Sequence, residues 1–256
     1  MTKLKIKFDF TELMKRRTDL EKNNLIVVTG ETGAGKSMAA LDLALRLDPL
    51  FTVDQCVFTI SDFLAQIQKL GKGRVVVLDE AAIGFDARRS GSNENVMFSN
   101  VLKIFRYLQI TAIFTFPNLA MFDKNGRRLM HFHIVMAGIN HQTKMAAAHL
   151  FIVDSHAGWD DEPKRYFPII NVENLGFTFQ VDPVWFNYPP EKLRKEYDVK
   201  KNEFAQKMFD EIKDTLDKYS KTDPEEEFED PVYAAAQEPR ARRTLPTPTF
   251  KQRRST

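Results

Sequence analysis

Apolar and polar positions alternate along this chain in short strand and helix periods, and the pattern stops near residue 221. Leu4, Ile6, Phe8 and Phe10 interleave with Lys3, Lys5 and Lys7, the period of a strand with one wet face. Leu25 to Thr29 (LIVVT) and Val75 to Leu78 (VVVL) are runs of the length and composition of strands buried on both faces. Lys36 to Leu47 is apolar around most of its circumference, as suits a helix laid on a sheet. Gln55 to Ile60 reads as a strand, after which Ser61 caps a helix through Leu70 that Gly71 ends. Glu94 to Leu108 predicts a helix, and Ile110 to Phe116 and Phe132 to Ala137 predict strands. Strands alternating with helices imply a parallel α/β sheet.

Beyond Ala137 the signals are of strands alone. Lys144 to Val153, Arg165 to Ile170 and Gly176 to Val181 predict antiparallel additions. Pro189 and Pro190 then open a long helix on which Leu193, Tyr197, Phe204, Met208, Ile212, Leu216 and Tyr219 recur at near-helical spacing. That stripe is expected to pack on its own domain, the alternative being a partner-binding helix. The expected divisions are residues 1–22, a strand and helix lead-in; 23–188, the α/β domain; 189–221, the amphipathic helix; and 222–256, a disordered tail.

Charge sharpens the last division. The formal charge of +2 is an average over unlike parts. Residues 223–238 hold seven acids and no base, residues 240–256 hold six bases and no acid, and the 31 bases and 28 acids that remain leave residues 1–221 at +3. With five prolines and few large aliphatics, residues 222–256 cannot bury enough apolar area to offset ordering. A nearly neutral body excludes a uniformly basic nucleic-acid coat. One cysteine, Cys56, excludes an intramolecular disulfide framework and a cysteine zinc site, and a reducing cytoplasm is the expected setting. The charge-free stretch from Tyr107 to Phe122 is too short to span a bilayer and holds Pro117, so no membrane span is expected.

Two motifs carry chemistry. Gly30-Glu31-Thr32-Gly33-Ala34-Gly35-Lys36-Ser37 fits G-x-x-x-x-G-K-[ST], between a predicted strand and a predicted helix. Glycines let the backbone turn its N–H groups onto phosphate oxygens, and the helix N-terminus adds favourable partial charge. Lys36 is expected on the β- and γ-phosphates and Ser37 on Mg²⁺. Arg74 to Glu80 (RVVVLDE) is a buried strand ending in two carboxylates, 43 positions after Lys36, and resembles a Walker B strand. Asp79 is then expected at the metal and Glu80 at the attacking water. The fold class implied is a P-loop NTPase, RecA-like: a mainly parallel sheet flanked by helices, with antiparallel additions, the long helix and the tail. Ala81-Ala82 after Glu80, and the absence of LSGGQ and N-K-x-D motifs, exclude DEAD/H helicases, ABC ATPases and GTPases.

From Val101 to Val135 an arginine ends a helix, a strand breaks at a proline, and an aspartate, a basic pair and another strand follow. With the phosphate loop and the acidic pair, this resembles the FtsK/HerA superfamily, especially its zonula occludens toxin-like and archaeal plasmid and virus branch, over about residues 22–140. The resemblance implies ATP as substrate with Mg²⁺, a homo-oligomer, Arg106 acting on a neighbouring subunit's nucleotide, and Thr115 sensing the γ-phosphate. Phe116 departs from the pattern, standing where the family has glutamine. DNA contacts are expected from Arg88 and Arg89, from Lys124, Arg127 and Arg128 in a turn KNGRR, and from the basic tail. All five histidines fall between His131 and His156 and are expected in core or surface roles rather than as metal ligands. Two functions follow: an oligomeric ATPase motor acting on DNA in packaging, export or segregation, or a nucleotide-controlled assembly ATPase that binds protein partners through the helix or tail.

Overall fold

The structure, a computed structural model, describes residues 9–81, 107–122, 124–154, 163–172 and 177–221. Leu4, Ile6 and Phe8 of the expected N-terminal strand, most of the helix 94–108, and Arg88, Arg89, Arg106 and the tail lie outside these residues, while Phe10, expected on that strand, instead stands at the N-cap of the helix Thr11–Asp19. The chain divides into two units, 1–206 and 207–256, with the boundary inside its last helix.

The first unit is built on a twisted sheet in the order β10-β6-β5-β1-β4-β3-β2. Its central strands are β1 (Asn24–Thr29), β2 (Cys56–Val57), β3 (Val75–Leu78), β4 (Thr111–Phe116) and β5 (Phe132–Asn140). These five are parallel to one another. β6 (Met145–Asp154) runs antiparallel to β5 and pairs with both β7 (Lys164–Tyr166) and β10 (Val184–Asn187). β8 (Ile169–Val172) and β9 (Phe177–Gln180) form a separate ribbon. The predicted strand 165–170 therefore breaks between β7 and β8, at Phe167 and Pro168, a residue with no N–H for a ladder. β10, which follows Pro183, is a strand that the sequence pattern did not predict.

The described α-helices are α1 (Thr11–Asp19), α2 (Lys36–Leu47), α3 (Ile60–Lys69), α4 (Lys124–Leu129) and α5 (Glu191–Lys221), with short 3-10 turns at Val53–Gln55 and Leu119–Met121. The unbroken run in β1 is explained by its two faces. Ile26 and Val28 pack with α1, α2 and Phe186, while Leu25 and Val27 pack with Phe63, Phe114 and Phe122 on the other side. No described helix is long and apolar enough to cross a membrane.

Two further expectations about local structure change. The strand read over 55–60 shrinks to Cys56–Val57, because Gln55 turns back to accept the Thr52 N–H and Thr59, not Ser61, caps α3 by accepting the Asp62 N–H at 3.0 Å. The KNGRR segment is the helix α4, not a turn. Gly126 is there for room: a Cβ would lie 2.5 Å from the Phe122 ring.

β3 is placed by a buried polar knot. Asp48 accepts from Arg74 Nε (2.7 Å), Gln55 Nε2 (3.1 Å) and the Val75 N–H (3.3 Å). Burial opposes the charge on Asp48, but the Arg74 and Gln55 hydrogen bonds outweigh it and hold the carboxyl below its usual range. A depressed carboxyl adds stability above its unfolded-state value, and that stability is lost as pH falls through the folded value. Asp48→Ala is therefore expected to cost about 3 kcal/mol at pH 7, with the penalty shrinking below about pH 4, as read by denaturant unfolding at both pH values.

Candidate functional site

Among the described residues, Gly30 to Ser37, Asp79, Glu80 and Thr115 gather at the C-terminal ends of β1, β3 and β4. β1 runs into the loop Gly30–Gly35, and α2 starts at Lys36. The loop folds tightly because two glycines meet neighbours that a side chain would strike. A Cβ on Gly30 (φ 154°) would lie 2.8 Å from Met136 Cβ, and one on Gly35 (φ 90°) 3.0 Å from Ile139. Ala34 N–H closes the turn on Glu31 O at 3.1 Å. By helix geometry the N–H groups of the first turn of α2 lack intrahelical acceptors and open toward the loop that precedes it. Lys36 Nζ donates to Gly30 O and Glu31 O, both at 2.9 Å, so its ammonium lies over the same loop.

Ser37, one residue into α2, meets Asp79, one residue beyond β3. Ser37 Oγ is 3.0 Å from both carboxylate oxygens. Asp79 is buried, and its N–H is fixed on Val57 O at 2.9 Å. Glu80 follows in the left-handed region (φ 54°), a conformation that costs a side-chain-bearing residue on the order of 1 kcal/mol. Thr115 braces this turn. From the end of β4 its hydroxyl donates to Asp79 Oδ1 (2.6 Å) and accepts the Glu80 N–H (3.0 Å). Thr115 thus lies buried beneath the carboxylate pair. Phe116, on the opposite face of β4, packs into the core against Phe122 with ring centroids 5.1 Å apart.

Two further site residues come from α5. Tyr197 donates its hydroxyl to Asp79 Oδ2 at 2.5 Å, and Lys201 Nζ lies 2.8 Å from Glu80 Oε1 and 3.4 Å from Asp79 Oδ2. Burial first, then the charge on Asp79, pushes the Tyr197 hydroxyl well above its usual value, so it acts as a donor. Burial opposes the charge on Lys201, but Asp79 and Glu80 outweigh it and raise its pKa. The apolar stripe gave one readable sign of Tyr197, as a core residue; nothing marked Lys201 except its place four residues later on the same face.

On the other side of the loop, a cavity of about 690 Å³ is lined by Gly30 to Ala34, Asn118, His133 and Arg165. His133 lies within hydrogen-bond distance of Arg165 Nη1 (3.2 Å) and Thr29 Oγ1 (2.8 Å). Arginine can only donate, so Nδ1 accepts and Nε2–H donates to Thr29. Burial, with Arg165 adding to it, pushes the His133 ring down to about 4. His131 accepts the Leu25 N–H and is pushed down to about 3 by burial and by Arg17 and Lys22. Among the described residues, no three His, Cys, Asp or Glu side chains converge on one point. Lys124 and Arg128 are exposed on α4 and Arg127 is half-buried. Cys56 is buried, which raises its thiol pKa.

The strand order decides the fold. β4 lies between β1, which bears the loop, and β3, which bears the carboxylates, as an inserted strand parallel to both. The chain has the P-loop NTPase fold. Solved structures similar to this P-loop domain include the N-terminal domain of zonular occludens toxin from Neisseria meningitidis, at 19% identity and TM-score 0.37, covering 57% of this chain and 94% of that one. A genome packaging NTPase from Sulfolobus turreted icosahedral virus 2, in complex with ATP-gammaS, is similar at 12% identity and TM-score 0.37, covering 57% of this chain and 97% of that one. The same NTPase in complex with AMP matches at 10% identity and TM-score 0.35, over 47% of this chain and 78% of that one. No protein-family model and no curated protein sequence matches the chain.

Proposed function

We propose that the chain is a Mg²⁺-dependent ATP hydrolase working as a homo-oligomeric motor on DNA, in the cytoplasm, of the FtsK/HerA-like kind. The observation that carries hydrolysis is the meeting of Ser37 with Asp79 at 3.0 Å, directly below a phosphate loop and directly before Glu80.

The donor set fits Mg²⁺. A hydroxyl and a carboxylate are hard oxygen ligands, and Mg²⁺ characteristically takes only one or two protein groups and completes its sphere with water and phosphate. When bound there, it would neutralise charge on the β- and γ-phosphates. The chain's own residues do the rest. Loop N–H groups and Lys36 hold the phosphates in line. Glu80, whose backbone is fixed by Thr115, orients the attacking water and accepts its proton. In this reading Thr115 acts through the carboxylates it braces. Arg106 is assigned to the neighbouring subunit's nucleotide by resemblance alone.

DNA as substrate rests on the resemblance over residues 22–140 and on exposed Lys124 and Arg128, with Arg127, Arg88, Arg89 and the basic tail as further contacts. The deciding experiment measures ATP turnover with and without single- and double-stranded DNA, together with mass in the same nucleotide state. DNA-stimulated turnover by an oligomer is expected. Turnover indifferent to DNA would replace the motor with the assembly ATPase, and no turnover would refute hydrolysis.

A further inference from the structure

Asp79 gathers four donors, about as many as a carboxylate has acceptor sites. Oδ1 accepts from Ser37 and Thr115, and Oδ2 faces Ser37, Tyr197 and Lys201. With Glu80 beside it, the pair carries two negative charges, and Asp79 is buried. Such a pair needs a cation close by. Lys36 is turned to the loop carbonyls, and among the described residues Lys201 is the cation in contact with both carboxylates.

The helix bearing Lys201 is held by contacts away from these carboxylates. Lys200 Nζ donates to Val53 O (3.1 Å), Asp54 O (3.3 Å) and Cys56 O (2.7 Å), clamping α5 to the sheet edge. Phe204 stacks on Phe58 with centroids 4.9 Å apart, and Leu193 is buried in the core. The backbone is therefore set without Lys201, whose side chain is about one-third exposed and can swing on its four-carbon stem. The oxygen it approaches at 3.4 Å belongs to the carboxylate that, with Ser37, would hold a metal, and an ammonium and a divalent cation repel each other at one oxygen.

Resting on the reading of Ser37 and Asp79 as metal ligands, we propose that Lys201 is a positioning residue of the ATPase site: a counter-ion that holds Asp79 and Glu80 and is displaced when a divalent cation is loaded. Lys201 and the cation then compete for one carboxylate pair. By reciprocity, whatever removes the ammonium strengthens metal binding, and metal loading frees the ammonium and leaves Glu80 to the water.

The test uses Mn²⁺ as the probe metal and AMPPCP as the nucleotide, with the full chain. Free Mn²⁺ is followed by electron paramagnetic resonance. Lys201→Met keeps the stem and removes the charge, and is expected to tighten Mn²⁺ binding by roughly tenfold or more, whereas Lys201→Arg stays near the parent. General damage to the fold would weaken binding, so the direction of the change separates this role from a structural one. In the parent, labelling of Lys201 by an amine-reactive reagent, read by mass spectrometry, is expected to rise several-fold when Mn²⁺ and AMPPCP are added. Unchanged or weaker Mn²⁺ binding in Lys201→Met, or labelling indifferent to metal, would overturn the proposal while leaving the ATPase reading intact. A parent that binds no Mn²⁺ with AMPPCP would overturn both.

Discussion

Glu80→Gln is expected to lower ATP turnover by roughly 10³-fold while nucleotide binding survives. Glutamine is nearly isosteric with glutamate, so the left-handed turn and the Glu80 N–H bond to Thr115 are kept. The phosphate loop and the Ser37–Asp79 pair lie on other residues and are untouched. The carboxylate able to accept a proton from water is lost and the Lys201–Glu80 ion pair becomes a neutral hydrogen bond, while the phosphate loop keeps its contacts, so the main effect belongs in kcat and not in nucleotide affinity. Phosphate release in steady state and a nucleotide titration measure the two separately. Equal turnover in parent and variant would remove Glu80 from the mechanism.

Lys36→Ala is expected to act at the earlier step and weaken Mg²⁺·ATP binding by roughly 100-fold, with turnover falling at least in parallel. The ammonium is held over the loop by the Gly30 and Glu31 carbonyls. It supplies charge that the loop N–H groups cannot. Its hydrogen bonds are local and partly solvent-facing, so removing them is expected to leave thermal unfolding nearly unchanged. Binding measured by calorimetry beside a melting curve separates the two cases: weak binding with a preserved melt supports the phosphate role, and wild-type affinity in Lys36→Ala would refute it.

The two variants differ in how far their effects could be read from the chain. Both residues sit in contiguous motifs whose geometry is local. Gly30 to Ser37 follows a strand and opens a helix, and the glycines meet Met136 and Ile139 where a side chain would collide. Lys36–Leu47 and Val75–Leu78 were readable to the residue because their apolar periods are strong and their neighbours break them. The segment 55–60 was not, since Thr59 caps α3 with its own hydroxyl and a short apolar run does not say whether it will be strand or helix. KNGRR failed for a related reason: Asn-Gly usually marks a turn, but Gly126 is small because Phe122 lies against it, a contact no local pattern contains. Phe116 stood out as a departure from the family pattern, and in the fold it is a core residue on the face of β4 away from Asp79.

By itself the sequence determined the loop motif, the acidic pair and the elements with strong apolar periods, Lys36–Leu47 and Val75–Leu78, because loop chemistry and apolar periods are properties of neighbouring residues. Only the tertiary structure decided that Thr115 braces Asp79 and Glu80 from the next strand, and that Tyr197 and Lys201 close on the same carboxylates from a helix more than a hundred residues away. A lysine on an amphipathic helix looks the same whether it faces solvent or a buried carboxylate. Which it faces is set by the packing of Leu193, Phe204 and Lys200 against the sheet, and packing between distant segments leaves no period in the chain.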